Sequence, residues 1–458
     1  MTPAPPAASI VHQRVAAWLG SQGMLAVLIL LAAFFSFATM RDEAPTGSAA
    51  AIQEVAQLGM PHGNEVVMII ARDTDDDRGF ASAAEIAVKT AGWTTAAVVI
   101  GEPRDARVRL QGLADGTNPP SLRAILTLPE CANWPVLSGL AEKFPKLAGA
   151  AVLVPTSTRW PVFLTRQNLL NVANQIVVVA ILSVGLTLVI LTGGIDLSVG
   201  SLVALAAVVA TRLVRDHLGG VQAGVGGLVL AAAAGIVPCV LIGALSGWLR
   251  VAFRLPAFIS TLAVMQATSG FAFLLAKGQS IYELPDSATW LGRGTGLFGI
   301  PHAVVLTAIV YGVAHVMLTR TRLGRHLYAV GGNEQAARLS GVPVGRVHVF
   351  AYAASAGLAG LGGIVLASQL KSGAPTYGAN YELYAIAAVV VGGARLSGGE
   401  GTVGGTLVGA WIIAVINNGM NLIGVESYTQ KVVLGAVILG AVLLDRLKHR
   451  GAPGSGRD

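Results

Sequence analysis

The chain has 458 residues, of which 53% are hydrophobic and only 12% charged, with a formal net charge of +7. A water-soluble domain carries about 25% charged residues, so this composition leaves too little polar surface for a soluble fold. The basic residues are scattered among short loops without a stripe of interleaved aromatics, which argues against a nucleic-acid partner.

Apolar runs close to the ~20 residues that a helix needs to cross a hydrocarbon core recur along the chain. They fall at 16–39, 172–192, 200–214, 224–249, 256–277, 300–318, 346–369, 382–394, 403–423 and 429–445. The prediction is an all-α polytopic membrane helix bundle of about ten spans. The runs at 200–214, 256–277 and 382–394 are short or glycine-interrupted, and broken or re-entrant helices are expected there. The core of the first run, 24–37, follows Arg14 and has the form of a signal peptide, but with its flanks it is long enough to be kept as a span.

Lys and Arg in short loops mark the cytoplasmic side. Arg14, Arg250, Arg254, Arg320, Arg322, Arg325, Arg338, Arg346, Arg446, Lys448 and Arg450 all fall there if both termini are inside. Arg212 and Arg215 fall on the opposite side.

Between residues 40 and 160 charges become frequent and the apolar runs shrink to strand length. Strands are predicted at 65–71, 94–100, 122–128 and 148–154, and helices at 79–91, 105–113 and 134–144. Alternating strands and helices predict a small, mainly parallel sheet, inserted on the periplasmic side. The expected organisation is a cytoplasmic N-terminus and first span (1–39), the α/β insert (40–160), the transmembrane domain (161–445) and a cytoplasmic tail (446–458).

The segment GGIDLSVGS at 193–201 carries the most chemistry. Asp196 is the only carboxylate between the start of the second run and Asp216, and a carboxylate near a bilayer must be paired, capping or facing water. Either Asp196 or Ser198 caps the next helix, with the glycines permitting a tight turn, or Asp196 acts on substrate or gating. GGARLSGGEG at 392–401 echoes the pattern and hints at two related halves.

In the loop at 319–346, Asn333 is placed to cap a short helix, with Glu334 in its first turn, Ala336, Ala337, Arg338 and Leu339 continuing it, and Gly341, after Ser340, able to end it. Gly331 and Gly332 precede it, and Arg325 and Arg338 rim it. The unit is either a rigid knob for a partner or a solvated connection. Asn417, Asn418 and Asn421 sit in the last third of an apolar run, with Asn417 and Asn421 on one helical face. They either line a polar pathway or bond neighbouring helices. Cys131 and Cys239 lack metal-ligand spacing and read as structural. No phosphate-loop pattern occurs, so no ATP site, cofactor or enzymatic activity is expected of this chain itself.

GGIDLSVGS resembles the signature of ribose-type ABC transporter permeases, within the wider branched-chain amino acid and sugar permease family. FLTRQNLLNVANQ (163–175), PAFISTLAVM (256–265), TRLGRHLYAVGGNEQAARLSGV (321–342), YELYAIAAVVVGGARLSGGEGTVGGT (381–406) and GAVILGAVLLD (435–445) are similar to the family's blocks, in the family's order. Gly193, Gly194, Asp196, Leu197, Ser198 and Gly200 match the signature. The resemblance implies import of a monosaccharide by alternating access. It also implies a coupling helix at 334–339 that docks on a cytoplasmic ATPase carrying ATP-Mg, a periplasmic binding protein, and a second permease copy or paralogue in the lipid membrane. Thr261, Leu262 and Ala263 depart from the family's Thr-Leu-Gly, Ser269 stands where a basic residue is usual, and the 40–160 insert is foreign to the pattern. An ion-coupled transporter would need titratable groups in the spans, which offer almost none besides Asp196. A membrane-anchored sensor would need only one or two spans.

Overall fold

The computed structural model describes residues 7–61, 64–116 and 121–450. In chain order its elements begin with α1 (Ala7–Ala38), β1 (Met40–Glu43), α2 (Gly47–Leu58), β2 (Glu65–Ala71), α3 (Asp75–Thr90), β3 (Thr94–Ile100), α4 (Pro103–Asp115) and β4 (Ser121–Thr127). Three single turns follow, α5 (Pro129–Ala132), α6 (Pro135–Ser138) and α7 (Leu140–Lys143), then β5 (Ala151–Leu153) and β6 (Thr158–Pro161). The remainder is helical: α8 (Arg166–Leu191), α9 (Val199–His217), α10 (Val225–Phe253), α11 (Ala257–Ala276), α12 (His302–Arg320), α13 (Arg322–Gly332), α14 (Glu334–Leu339), α15 (Val344–Leu370), α16 (Tyr381–Val391), α17 (Val403–Leu422) and α18 (Ser427–Arg450). The chain divides into two compact units, Met40–Pro161 and the segments on either side of it.

In the Met40–Pro161 unit, β2 (EVVMIIA) and β4 are apolar at nearly every inner position, as strands covered on both faces must be. They form the centre of a wholly parallel sheet of order β3-β2-β4-β5. Ala50, Phe80, Ala84 and Val88 of α2 and α3 pack on Val67, Ile69 and Leu126. Ala106, Leu110, Leu137 and Leu140 cover the other face over Met68, Ile70 and Ile125. Helix α3 starts four residues before the predicted point because the Thr74 hydroxyl accepts the Asp77 amide at 3.3 Å and three aspartates fill the first turn, favourable at a helix N-terminus. Pro103 likewise sets an earlier start for α4.

The predicted helix at 134–144 is instead broken into α6 and α7, because Gly139 leaves helical geometry at φ −120°, ψ 33°. Two features lay outside the sequence prediction: the alanine-rich α2, and the antiparallel pairing of β1 with β6 from Met40↔Pro161 to Glu43↔Thr158, which ties together the two ends of the unit.

In the other unit, each of the ten apolar runs coincides with a helix. Among the described residues six helices, α8, α10, α11, α12, α15 and α17, are long and apolar enough to cross a membrane, with a further apolar stretch at Gly23–Ala38 of α1. Of the three runs expected to break, α9 and α11 are continuous. Only α16 stops short, at Gly392, and its 11 residues reach about 16 Å. Helix α8 forms the interior, with 89% of its apolar window buried against 22% for α10 and α11. Small residues allow close helix contact: a Cβ at Gly185 of α8 would lie 2.8 Å from Ser355 Cα, and one at Gly243 of α10 would collide with Ala356 and the Tyr352 carbonyl. Arg212 and Arg215, which contradict the orientation pattern, both pair with Asp216, at 3.1 and 2.7 Å.

Glu54 of α2 is fully buried beneath the sheet, with neither carboxyl oxygen hydrogen-bonded. Burial pushes its carboxyl from 4.5 up to about 9. The folded state therefore holds a proton that the unfolded chain releases above 4.5, and stability falls as pH rises from there toward 9. Hydrogen exchange of the β4 amides in the intact chain should show the opening free energy dropping between pH 6 and 8 by about 1.4 kcal/mol per pH unit. Glu54→Gln should flatten that slope. An equal slope in both proteins would mean that another group is responsible.

Candidate functional site

The signature segment forms the turn between α8 and α9. The left-handed backbone of Gly193, φ +68°, reverses the chain. Asp196 is then buried, 1% exposed, with Oδ1 accepting the Ser198 amide at 3.0 Å and the Ser198 hydroxyl at 2.6 Å. Its Oδ2 accepts the Ser355 hydroxyl of α15 at 3.0 Å. Asp196, rather than Ser198, is thus the residue that fastens the start of α9, and it fastens it to a third helix. The preceding carbonyl, Ile195, accepts from the Tyr352 hydroxyl at 3.4 Å and from the Thr261 hydroxyl at 3.3 Å, and Arg250 donates to Tyr352 at 3.2 Å. Leu197 is half-buried, and a side chain at Gly200 would strike Glu382 and the Gly378 carbonyl. Gly194 has equally little room, beside Arg250 and Tyr352.

Sequence reading missed Ser355 and Tyr352, whose only signal was polarity within an apolar run. Arg250 was noticed solely as a marker of orientation.

The echoing segment at 392–401 lies against this turn. The Gly399 amide donates to the Leu191 carbonyl at 3.0 Å, and a Cβ at Gly193 would come within 3.2 Å of the Ser397 carbonyl. Gly331, at the end of α13, fills the space between them: a methyl there would collide with the Leu191 carbonyl and lie 2.5 Å from the Gly399 amide. Tyr328 adds a hydrogen bond to the Gly401 carbonyl at 2.8 Å. Three glycine turns therefore meet in backbone-to-backbone contact.

The chain leaves this junction through Gly332 directly into α14. Asn333 Oδ1 accepts the Ala336 amide at 2.9 Å, Glu334 pairs with Arg338 at 3.0 Å, and Gly341 ends the unit at φ +80°. Ala337 is buried on the inner side, whereas Arg325, Ala336, Arg338 and Ser340 are exposed. Leu339 projects an apolar side chain that is 90% exposed, a feature of a contact surface that the sequence reading did not single out.

The three asparagines separate. Asn418 is buried and exchanges amide hydrogen bonds with Asn168 of α8 at 2.9 and 3.0 Å, the arrangement of helix-bonding polar residues. Asn417 and Asn421 instead border a cavity of about 290 Å³ with Gln175, Tyr381, Tyr384 and Gln430, where Gln430 donates to Asn421 at 2.7 Å.

The adjacent glycines of α13 offer a matched test. Gly331→Ala should destabilise the detergent-solubilised chain by roughly 1–3 kcal/mol, the range of an overpacked core. Gly332→Ala, which meets nothing within 4 Å, should leave thermal unfolding close to wild type. Equal midpoints for the two variants would show that the junction is not tightly packed.

Residues 168–442 match the family described as branched-chain amino acid transport system / permease component. The ribose import permease protein of Escherichia coli strain K12 is 44% identical over 68% of this chain and 95% of its own length. That of Bacillus subtilis strain 168 is 41% identical over 68% of this chain and 94% of its length. The D-allose transport system permease protein of E. coli K12 is 35% identical over 62% and 85%. No solved structure matches. The matched residues span the signature turn, the glycine junction, α14 and the asparagine helix, and the chain belongs to this family, as a ribose-type permease of ABC sugar transporters.

Proposed function

We propose that the chain is the membrane-spanning subunit of an ATP-driven importer that carries a ribose-like monosaccharide across the bacterial inner membrane by alternating access. The carrying observation is that α14, capped, rigid and exposed, is mounted through Gly331 and Gly332 on the junction that also holds the Asp196 turn and the start of α17. A push on α14 therefore reaches the ends of α8 and α16 through backbone contacts rather than flexible side chains. In this reading α14 is the coupling helix. Leu339 and Arg338 face a cytoplasmic ATPase that binds ATP-Mg, and a binding protein delivers sugar from the periplasm. The ribose and allose relatives point to the substrate class.

Ten crossings with both termini inside agree with the basic loops apart from Arg212 and Arg215, and in this reading the Met40–Pro161 unit is periplasmic. The path runs between this permease and a second copy or paralogue, and the cavity beside Asn417 and Asn421 supplies paired donors and acceptors suited to hydroxyl-rich ligands. The Met40–Pro161 unit serves as a platform for the binding protein. Its strand order reverses between β2 and β4, and at their C-terminal ends, where such folds bind ligands, Arg72 meets Asp77 at 2.8 Å and Glu130 at 3.8 Å. Burial opposes the Asp77 charge, but hydrogen bonds from Arg72 and Thr74 outweigh it and hold the carboxyl below its ordinary value.

Co-purification from native membranes tests the interface. The tagged chain should bring down a nucleotide-binding subunit with ATPase activity, and Glu334→Arg, which reverses a charge and breaks the pair with Arg338, should lose that subunit and abolish ribose uptake. A wild-type chain that takes up sugar with no ATPase attached would overturn the reading. Deleting residues 41–160 should weaken binding-protein affinity while leaving the ATPase bound.

A further inference from the structure

At the same end of the bundle as α14, the C-terminus of α10, the N-terminus of α15 and α14 itself enclose a cavity of about 1070 Å³. Arg250, Arg254, Arg338 and Arg346 line it against a single carboxylate, Glu334, which already pairs with Arg338. Among the described residues no carboxylate lies within ion-pair distance of Arg250, Arg254 or Arg346. The wall also carries the buried His348, whose Nε2 lies 3.8 Å from Glu334 Oε2. The first turn of the 27-residue α15 adds the positive end of its dipole. Guanidiniums without a carboxylate partner and a helix N-terminus border one space, a combination suited to a phosphate group.

A second, apolar groove of about 480 Å³ lies beside it and shares Val251, Gly345 and Arg346 with the basic cavity. Trp248, Val349 and Phe350 line it, and Trp248 and the neighbouring Phe253 turn about half or more of their surface outward. Exposed aromatics of this kind gather at membrane interfaces. A soluble anion has no use for the groove, whereas a phospholipid needs both compartments.

We infer that this composite site binds one anionic phospholipid of the adjoining leaflet, its phosphate in the arginine cavity and an acyl chain in the groove between α10 and α15. Because Arg338 and Glu334 belong to the cavity wall, the lipid touches α14 directly and tunes its position. The inference does not require that α14 engage an ATPase.

The test is native mass spectrometry of the full chain released from nanodiscs of equal phosphatidylglycerol and phosphatidylcholine. Wild type should retain phosphatidylglycerol over phosphatidylcholine, and Arg254→Gln/Arg346→Gln should cut that preference roughly tenfold. Both arginines are exposed, so the variant should fold, as an unchanged elution profile would verify. Trp248→Ala should reduce retention of both lipids. Undiminished selectivity in the double variant would overturn the site. Displacement of the lipid by inorganic phosphate would replace it with a free-anion site, and loss of the lipid whenever a co-purified cytoplasmic subunit is bound would reassign the cavity to that protein.

Discussion

The membrane-embedded unit depends on one constraint: three turns, at 191–194, 331–332 and 397–399, approach one another so closely that no side chain fits between their backbones. The Gly399-to-Leu191 hydrogen bond and the lodging of Gly331 between them turn separate helix ends into one rigid node. Interiors packed at this density pass displacement on rather than absorbing it. A short helix mounted on such a node, as α14 is, is held closer to these helix ends than one on a loose loop.

Asp196 works beside this node in a different way. Burying a carboxylate in an apolar bundle is tolerable only when its oxygens are matched, and Ser198 and Ser355 match them here. The pairing joins the start of α9 to α15. Around it, Gly185, Gly243 and Gly363 let α15 approach α8, α10 and α9 at backbone distance, so α15 is the helix on which the others are ordered. The Arg250–Tyr352 contact extends the same polar thread to the rim, where the arginine cavity begins.

Apart from the buried Glu54, the Met40–Pro161 unit obeys soluble-protein rules. Its parallel sheet has an apolar core on each face, capped helices and charged outer surfaces, and the β1–β6 ribbon closes its two ends together so that a long insertion leaves and returns at one place. A unit closed in this way can be accommodated in a connection without disturbing the helices before and after it.

Much of this was legible in the residues. Apolar runs near helix-spanning length located ten of the described helices, strand periodicity located β2, β3 and β4 almost to the residue, and Asn333 and Gly341 marked the ends of α14, because all of these follow from neighbours a few positions apart. What only the tertiary structure decided involves partners far apart in the chain. Asp196 and Ser355 are separated by 159 positions, Asn168 and Asn418 by 250, and Leu191 meets both Gly331 and Gly399. Local sequence marks a glycine as permissive and a buried polar residue as needing a partner. Which partner arrives depends on how the helices pack, and that is a property of the whole bundle.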